Sequence, residues 1–225
     1  MKTTVWNEEI GDNTAKRLFE TQSYLVDFNR SRDEWFQWKS GIVAPCYCNC
    51  RYLNRSYEAY EESTAFLETI VRLKFPQVEL IVGLASAGVS WAARIAARFR
   101  LPMSFVRTVR KKHGIGDLVE GHPEKAAKAV IIDDLCGSGG TICGAIQALQ
   151  DEFQIETLGV VTITNWGFEH MWQRFEHLDI GVYSLTSYPN ILRVGRQLGY
   201  ITSDQEDMLK QFYKDPLSYK WPLLD

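Results

Sequence analysis

Short, mostly apolar runs alternate along this chain with stretches in which apolar residues return every three or four positions. Residues 80–83, 101–106, 129–132, 157–163 and 180–185 are of the first kind. A parallel strand is covered on both faces, so it loses the apolar-polar alternation and reads as such a run. Residues 57–75 are of the second kind, with Ala59, Phe66, Leu67, Ile70, Val71 and Leu73 on one side and Pro76 as the stop. The same period returns in Val89, Ala92, Ala93, Ile95, Ala96 and Phe99, and again in Ile142, Ala145, Ile146 and Leu149. Residues 1–34 also read as helix, from Leu18, Phe19, Tyr24, Leu25 and Phe28. Residues 35–41 and 43–51 read as a strand, a turn and a returning strand. Near the end, residues 191–198 and 208–213 read as helices. Ser187 is the expected cap of the first, and Ser203-Asp204-Gln205-Glu206 a capping-box pattern before the second. Strands alternating with helices predict an α/β fold: a mostly parallel sheet with helices on both faces, plus an N-terminal hairpin. The chain is read as one domain over 1–225, with a helix and hairpin in 1–51, a loop in 107–121 and helices in 187–225.

One stretch carries most of the chemistry. The apolar run at 129–132 ends in Asp133 and Asp134, then in the small-residue turn Cys136-Gly137-Ser138-Gly139-Gly140-Thr141, and a helical pattern follows at once. Glycines let a loop turn its N–H groups towards one point, and a helix start adds free N–H groups with partial positive charge. The turn is therefore a candidate phosphate cradle. Two carboxylates beside it cannot bind phosphate, but they accept hydrogen bonds from sugar hydroxyls, so the stretch suits a phosphorylated ribose. No Gly-Lys-Ser/Thr follows, which excludes a Walker loop, and the acidic pair precedes the glycines, which excludes a dinucleotide fingerprint. A second small-residue loop, Leu84-Ala85-Ser86-Ala87-Gly88, links another strand to another helix and is an anion site by the same physics. The cluster Arg107-Thr108-Val109-Arg110-Lys111-Lys112-His113, followed by Gly114 and Gly116, lies between two expected strands and suits a lid.

Composition narrows the partners. With 28 acidic and 25 basic residues and a net charge of −3, nothing favours a nucleic-acid surface. No apolar run reaches membrane-spanning length and Met1-Lys2-Thr3-Thr4 is no secretory signal, so a cytoplasmic protein is expected. Cys46, Cys48 and Cys50 would share one face of a strand. No second Cys or His cluster stands at zinc spacing, which favours buried thiols over a metal site, and no metal-ligating residue is assigned.

The apolar strand, Asp-Asp and loop ending in Gly-Gly-Thr resemble the phosphoribosyl diphosphate (PRPP) signature of type I phosphoribosyltransferases. Lys39-Ser40-Gly41, with Pro45 and Tyr47 after it, resembles the N-terminal hairpin of orotate phosphoribosyltransferases, and Arg107, Lys111 and His113-Gly114 resemble that family's flexible loop. The resemblance runs from about residue 35 to about 218. It implies transfer of a phosphoribosyl group from PRPP to orotate with loss of diphosphate, in pyrimidine biosynthesis. It implies Mg²⁺ held mainly through the diphosphate and water, and a homodimer in which the lid reaches the partner's site. Lys111, His113, Asp133 and Asp134 would be catalytic. Arg107, Ala87, Gly88, Cys136, Gly137, Ser138, Gly139, Gly140 and Thr141 would hold PRPP beside the two aspartates. Lys39, Tyr47 and Asn165 would meet the base, under a hood formed by the hairpin. Four positions depart from the family pattern: Ala87 and Thr108 stand where Lys is usual, and Thr164-Asn165 where an Asp-Arg pair is expected, its Arg binding the orotate carboxylate. A phosphoribosyltransferase with another base therefore stays open beside the orotate enzyme, with a PRPP-sensing regulator as the third reading.

Overall fold

A computed structural model of the chain describes residues 4–38, 40–108, 118–121, 123–125, 127–178 and 180–221. The N-terminal part contains β1 (Thr4–Val5), α1 (Glu8–Glu20), β2 (Tyr24–Val26), β3 (Phe36–Gln37), β4 (Val43–Ala44), β5 (Cys46–Cys48) and α2 (Tyr57–Lys74). The middle contains β6 (Leu80–Leu84), α3 (Gly88–Phe99), β7 (Met103–Val106), β8 (Val119–Glu120), β9 (Lys128–Cys136) and α4 (Gly140–Phe153). The rest contains β10 (Glu156–Asn165), α5 (Glu169–Phe175), β11 (Gly181–Ser187), α6 (Tyr188–Gln197) and α7 (Ser203–Lys214). Among the described residues the main sheet has the order β1-β11-β10-β9-β6-β7-β8, parallel throughout except where β8 turns back along β7.

The five apolar runs are strands β6, β7, β9, β10 and β11. Ile131, Ile132, Val160 and Val161 in the two central ones are fully buried, as strands covered on both faces must be. The helices that follow β6 and β9 go to opposite faces. Trp91, Ala92 and Ile95 of α3 join one apolar core with α2, α6 and α7, while Ile142, Ala145 and Leu149 of α4 join the other. The chain thus changes direction between neighbouring strands β6 and β9, which opens a crevice at their carboxyl ends. Asp133 and the small-residue loops stand at that crevice.

Four expectations need correction. The N-terminal helix stops at Glu20 instead of running to 34. Gln22 takes the left-handed region (φ 57°), and Tyr24–Val26 then pairs antiparallel with β5. The returning strand of the hairpin is split at Pro45, which has no N–H to continue a ladder. Val43–Ala44 pairs with β3, Cys46–Cys48 pairs with β2, and Cys50–Arg55 is a 3₁₀ helix. Cys50 therefore leaves the strand that was to align all three thiols, although its sulfur still lies 3.6 Å from that of Cys48. The capping box of α7 begins one residue early: Thr202 Oγ1 accepts the Gln205 N–H and Gln205 Oε1 accepts the Thr202 N–H. Ser187 does hold the cap position of α6, but its hydroxyl bonds Asn190 Oδ1 at 2.5 Å and not the helix backbone. Strands β1 and β8 add edges that their two-residue length hides in the sequence.

Gly144 tests the packing of α4 from its solvent side. It is exposed inside the helix, and nothing lies within 4 Å of the place a Cβ would take. Gly144→Ala is expected to stabilise the fold by about 0.5–1 kcal/mol, because only the extra freedom of glycine in the unfolded chain is removed. Thermal melts would show a rise of about 1–4 °C.

Candidate active site

The C-terminal end of β9 opens into a cavity of about 440 Å³. Asp133 lines it while only 8% exposed as a residue, and its Oδ1 accepts the Asp134 N–H at 2.9 Å. Asp134 does not line the cavity. It is half-buried, and burial pushes its carboxyl above the usual aspartate range while the nearby Arg51 guanidinium opposes that shift. The two neighbours differ because successive residues of a strand face opposite ways.

Gly137, Ser138, Gly139, Gly140 and Thr141 line the cavity next to Asp133. Gly139 has φ 79°, and a Cβ there would stand 3.0 Å from the Phe175 ring. Glycine is thus needed both for the turn and for the contact with α5. Among the described residues, no hydrogen bond occupies the amides of these five residues. Free donors and the N-terminal end of α4 converge there, which is the local chemistry of an oxyanion cradle. Cys136 sits behind the loop, fully buried, with its thiol directed at Met171 and its pKa raised by burial.

The loop after β6 comes up on the other side of β9. Ala87 caps α3 and Gly88 is its first residue; neither lines the cavity. Gly88 lies against the β9 backbone, so the loop is fixed beside Asp133 with the free amides of α3 at its tip. The Ala85–Ser86 peptide is cis. Arg107, just past β7, places Nε 2.8 Å from Glu120 Oε1. Lys39, Lys111 and His113 lie outside the described residues.

The wall facing the loop is aromatic. Trp38, from the hood, stacks on Trp166 at the tip of β10 with ring centroids 4.5 Å apart, and Trp166 runs parallel to Phe168 at 6.1 Å. The Trp38 indole donates to Cys46 O at 2.8 Å, which fixes the ring on the hood. Tyr47 lines the cavity and stacks on Phe36. Leu217 stands at the rim, 70% exposed, in a tail anchored where Trp221 packs on Phe28 and Trp35. None of the lining side chains is basic among the described residues.

The phosphoribosyl transferase domain family matches residues 54–166, half of the chain. An orotate phosphoribosyltransferase from Cutibacterium acnes is 32% identical over 216 residues, 96% of this chain and 98% of that one. One from Bacillus subtilis is 34% identical over 215 residues, 96% and 97% of the two chains. The chain belongs to the orotate phosphoribosyltransferase family. In fold, it matches the orotate phosphoribosyltransferase from Aeropyrum pernix with a TM-score of 0.71 at 24% identity, over 84% of this chain and 99% of that one.

The residues that line the cavity of this orotate phosphoribosyltransferase relative are only partly those its motifs point to. Asp133, the five loop residues and Tyr47 are brought together. Asn165 is not among them: it is 2% exposed behind the wall, its Nδ2 without a hydrogen-bond partner among the described residues. Trp38, Trp166, Phe168 and Leu217 are lining residues that the motifs do not name. Trp38 is next to Lys39 and Trp166 next to Asn165, so proximity to the motif residues was the one available signal.

Proposed function

We propose that the protein transfers the 5-phosphoribosyl group of PRPP to N1 of orotate, giving orotidine 5′-monophosphate and diphosphate. The observation that carries this reading is one cavity with a carboxylate and a free-amide loop on one side and stacked aromatic rings on the other. The loop amides, with the Ser138 and Thr141 hydroxyls, hold the 5′-phosphate. Asp133, with Asp134 beside it, accepts hydrogen bonds from the ribose hydroxyls. The planar base lies along the Trp38, Trp166 and Tyr47 rings, which shield it from water. The bond from C1 to the diphosphate oxygen breaks as the bond from C1 to the base nitrogen forms, through an oxocarbenium-like state, and the proton on that nitrogen passes to water or to the departing diphosphate. Positive charge on the ribose is then favoured by the Asp133 carboxylate close by, in a site of low dielectric.

The donor set also bears on Mg²⁺. Among the described residues no three His, Cys, Asp or Glu side chains converge on one point. Mg²⁺ prefers oxygen donors, keeps several waters and binds through substrate phosphates, so an ion held mainly by the PRPP diphosphate and water, with the Asp133 carboxylate nearby, fits this cavity. When bound, the ion neutralises charge growing on the departing diphosphate. By the resemblance, Arg107, Lys111 and His113 add positive charge from the lid, across the interface of a homodimer, and the loop at Ala87 and Gly88 meets the diphosphate through backbone amides.

A second reading rests on Asn165: without a guanidinium among the described lining residues, the carboxylate of orotate lacks its expected clamp. One experiment separates the two. The protein is incubated with PRPP, Mg²⁺ and single bases, including orotate, uracil, adenine and guanine, and diphosphate release is followed. Release with orotate alone is the expected result. Release with a different base alone would replace the orotate assignment, and PRPP binding with no release from any base would replace catalysis by sensing.

A further inference from the structure

The loop assigned to the 5′-phosphate offers only neutral donors, yet a phosphate monoester carries close to two negative charges at neutral pH. Among the described residues, one cation stands beside it. Helix α5 docks on the outer side of the loop through apolar groups: Phe175 meets Gly139, and Met171 Sδ lies 3.3 Å from Cys136 Sγ. That docking sets the position of Arg174 on the same helix. The place a Cβ on Gly140 would take lies 3.5 Å from Arg174 Nη1 and 3.7 Å from Ser138 Oγ. A Cβ at the start of a helix tilts towards its N-terminal end, so guanidinium and hydroxyl flank the side from which an anion approaches. The charge is also felt one turn into α4, where Arg174 counteracts the burial that raises the Cys143 thiol. Arg174 is exposed, and among the described residues no carboxylate forms an ion pair with it.

We propose that Arg174 binds the 5′-phosphate of PRPP, supplying the charge that the loop amides lack. The inference rests on the PRPP reading above and adds to it a residue outside every motif of the chain. Arginine suits this role because its fork gives two parallel N–H donors to one phosphate. Its exposed location lets the side chain swing in only when the ligand arrives, with α5 itself held still by Phe175.

Titration calorimetry with wild type, Arg174→Gln and Arg174→Lys tests this, using PRPP and, separately, Mg²⁺-diphosphate. PRPP should bind about tenfold more weakly to Arg174→Gln at low salt, as expected for loss of one charge-assisted pair. Arg174→Lys should recover most of that loss, and the deficit of Arg174→Gln should shrink as salt rises. Diphosphate, which has no 5′-phosphate, should bind all three proteins alike. Wild-type affinity for PRPP in Arg174→Gln would overturn the proposal, as would an equal loss of diphosphate binding. A wild-type protein that does not bind PRPP would overturn the underlying function and this inference with it.

Discussion

Asp133→Asn is expected to lower kcat/KM for PRPP by about 10²–10³-fold while leaving the melting temperature nearly unchanged. The buried carboxylate can accept a hydrogen bond from a ribose hydroxyl, and bonds to charged groups are worth about 1.5–3 kcal/mol each. In the proposed mechanism it also stands where positive charge grows on the sugar, so its loss raises the barrier beyond what it costs in binding. The amide keeps one acceptor and nearly the same shape, which is why the fold tolerates it. Steady-state kinetics and a thermal melt on the same preparation decide the matter. Equal activity in the variant would remove Asp133 from the chemistry, and a collapse of the melt would make it structural.

Asp134→Asn should part company with its neighbour. Burial raises the Asp134 carboxyl above its ordinary value of 3.8, and Arg51 offsets only part of that. A group whose pKa rises on folding supports the fold below its unfolded pKa and loses that support as pH rises through the folded value. At neutral pH the ionised Asp134 therefore weakens the unliganded protein. The asparagine variant should melt higher than wild type at pH 7, with little difference near pH 4. Its PRPP affinity should change less than that of Asp133→Asn, because Asp134 does not line the cavity. A lower melting temperature at pH 7 would mean that the pairing with Arg51 outweighs burial.

How much of this was readable in the chain follows from which interactions are local. Strands β6, β9 and β10 were legible because double-sided burial leaves an apolar run, and the loop from Cys136 to Thr141 because its amides and glycines are consecutive. The aromatic wall was not, because Trp38 and Trp166 meet only after the hood folds over the sheet, and no spacing records that contact. Tyr24 and Leu25 continue a helical period by coincidence, and the turn at Gln22 overrides it. Asn165 looked like a base ligand from its place at a strand tip. Its side chain is instead buried, and the next residue, Trp166, lines the cavity. Arg174 lies in a short helix with no motif, and only its docking on Gly139 and Gly140 reveals it.

Gly88→Ala is expected to have the largest effect on the fold itself. A Cβ on Gly88 would lie 2.3 Å from Ile132 O and 3.0 Å from Asp133 Cα. Both are backbone atoms of the central strand β9, fixed by parallel pairing with β6 and β10, so no rotamer change relieves the overlap. Either α3 moves off the sheet, uncovering Trp91, Ala92 and Ile95, or β9 bends at Asp133. Overpacking costs of this type run to about 3 kcal/mol or more where the obstacle is rigid, a drop of at least about 6 °C in a chain this long. The variant should therefore melt well below wild type, and what folds should bind PRPP weakly, because Asp133 and the loop at Ala87 are displaced together. Melting and PRPP titration on one sample read both effects. An alanine variant with wild-type stability would show that the approach of α3 to β9 is looser than this packing, and the shared placement of the two loops around Asp133 would need another cause.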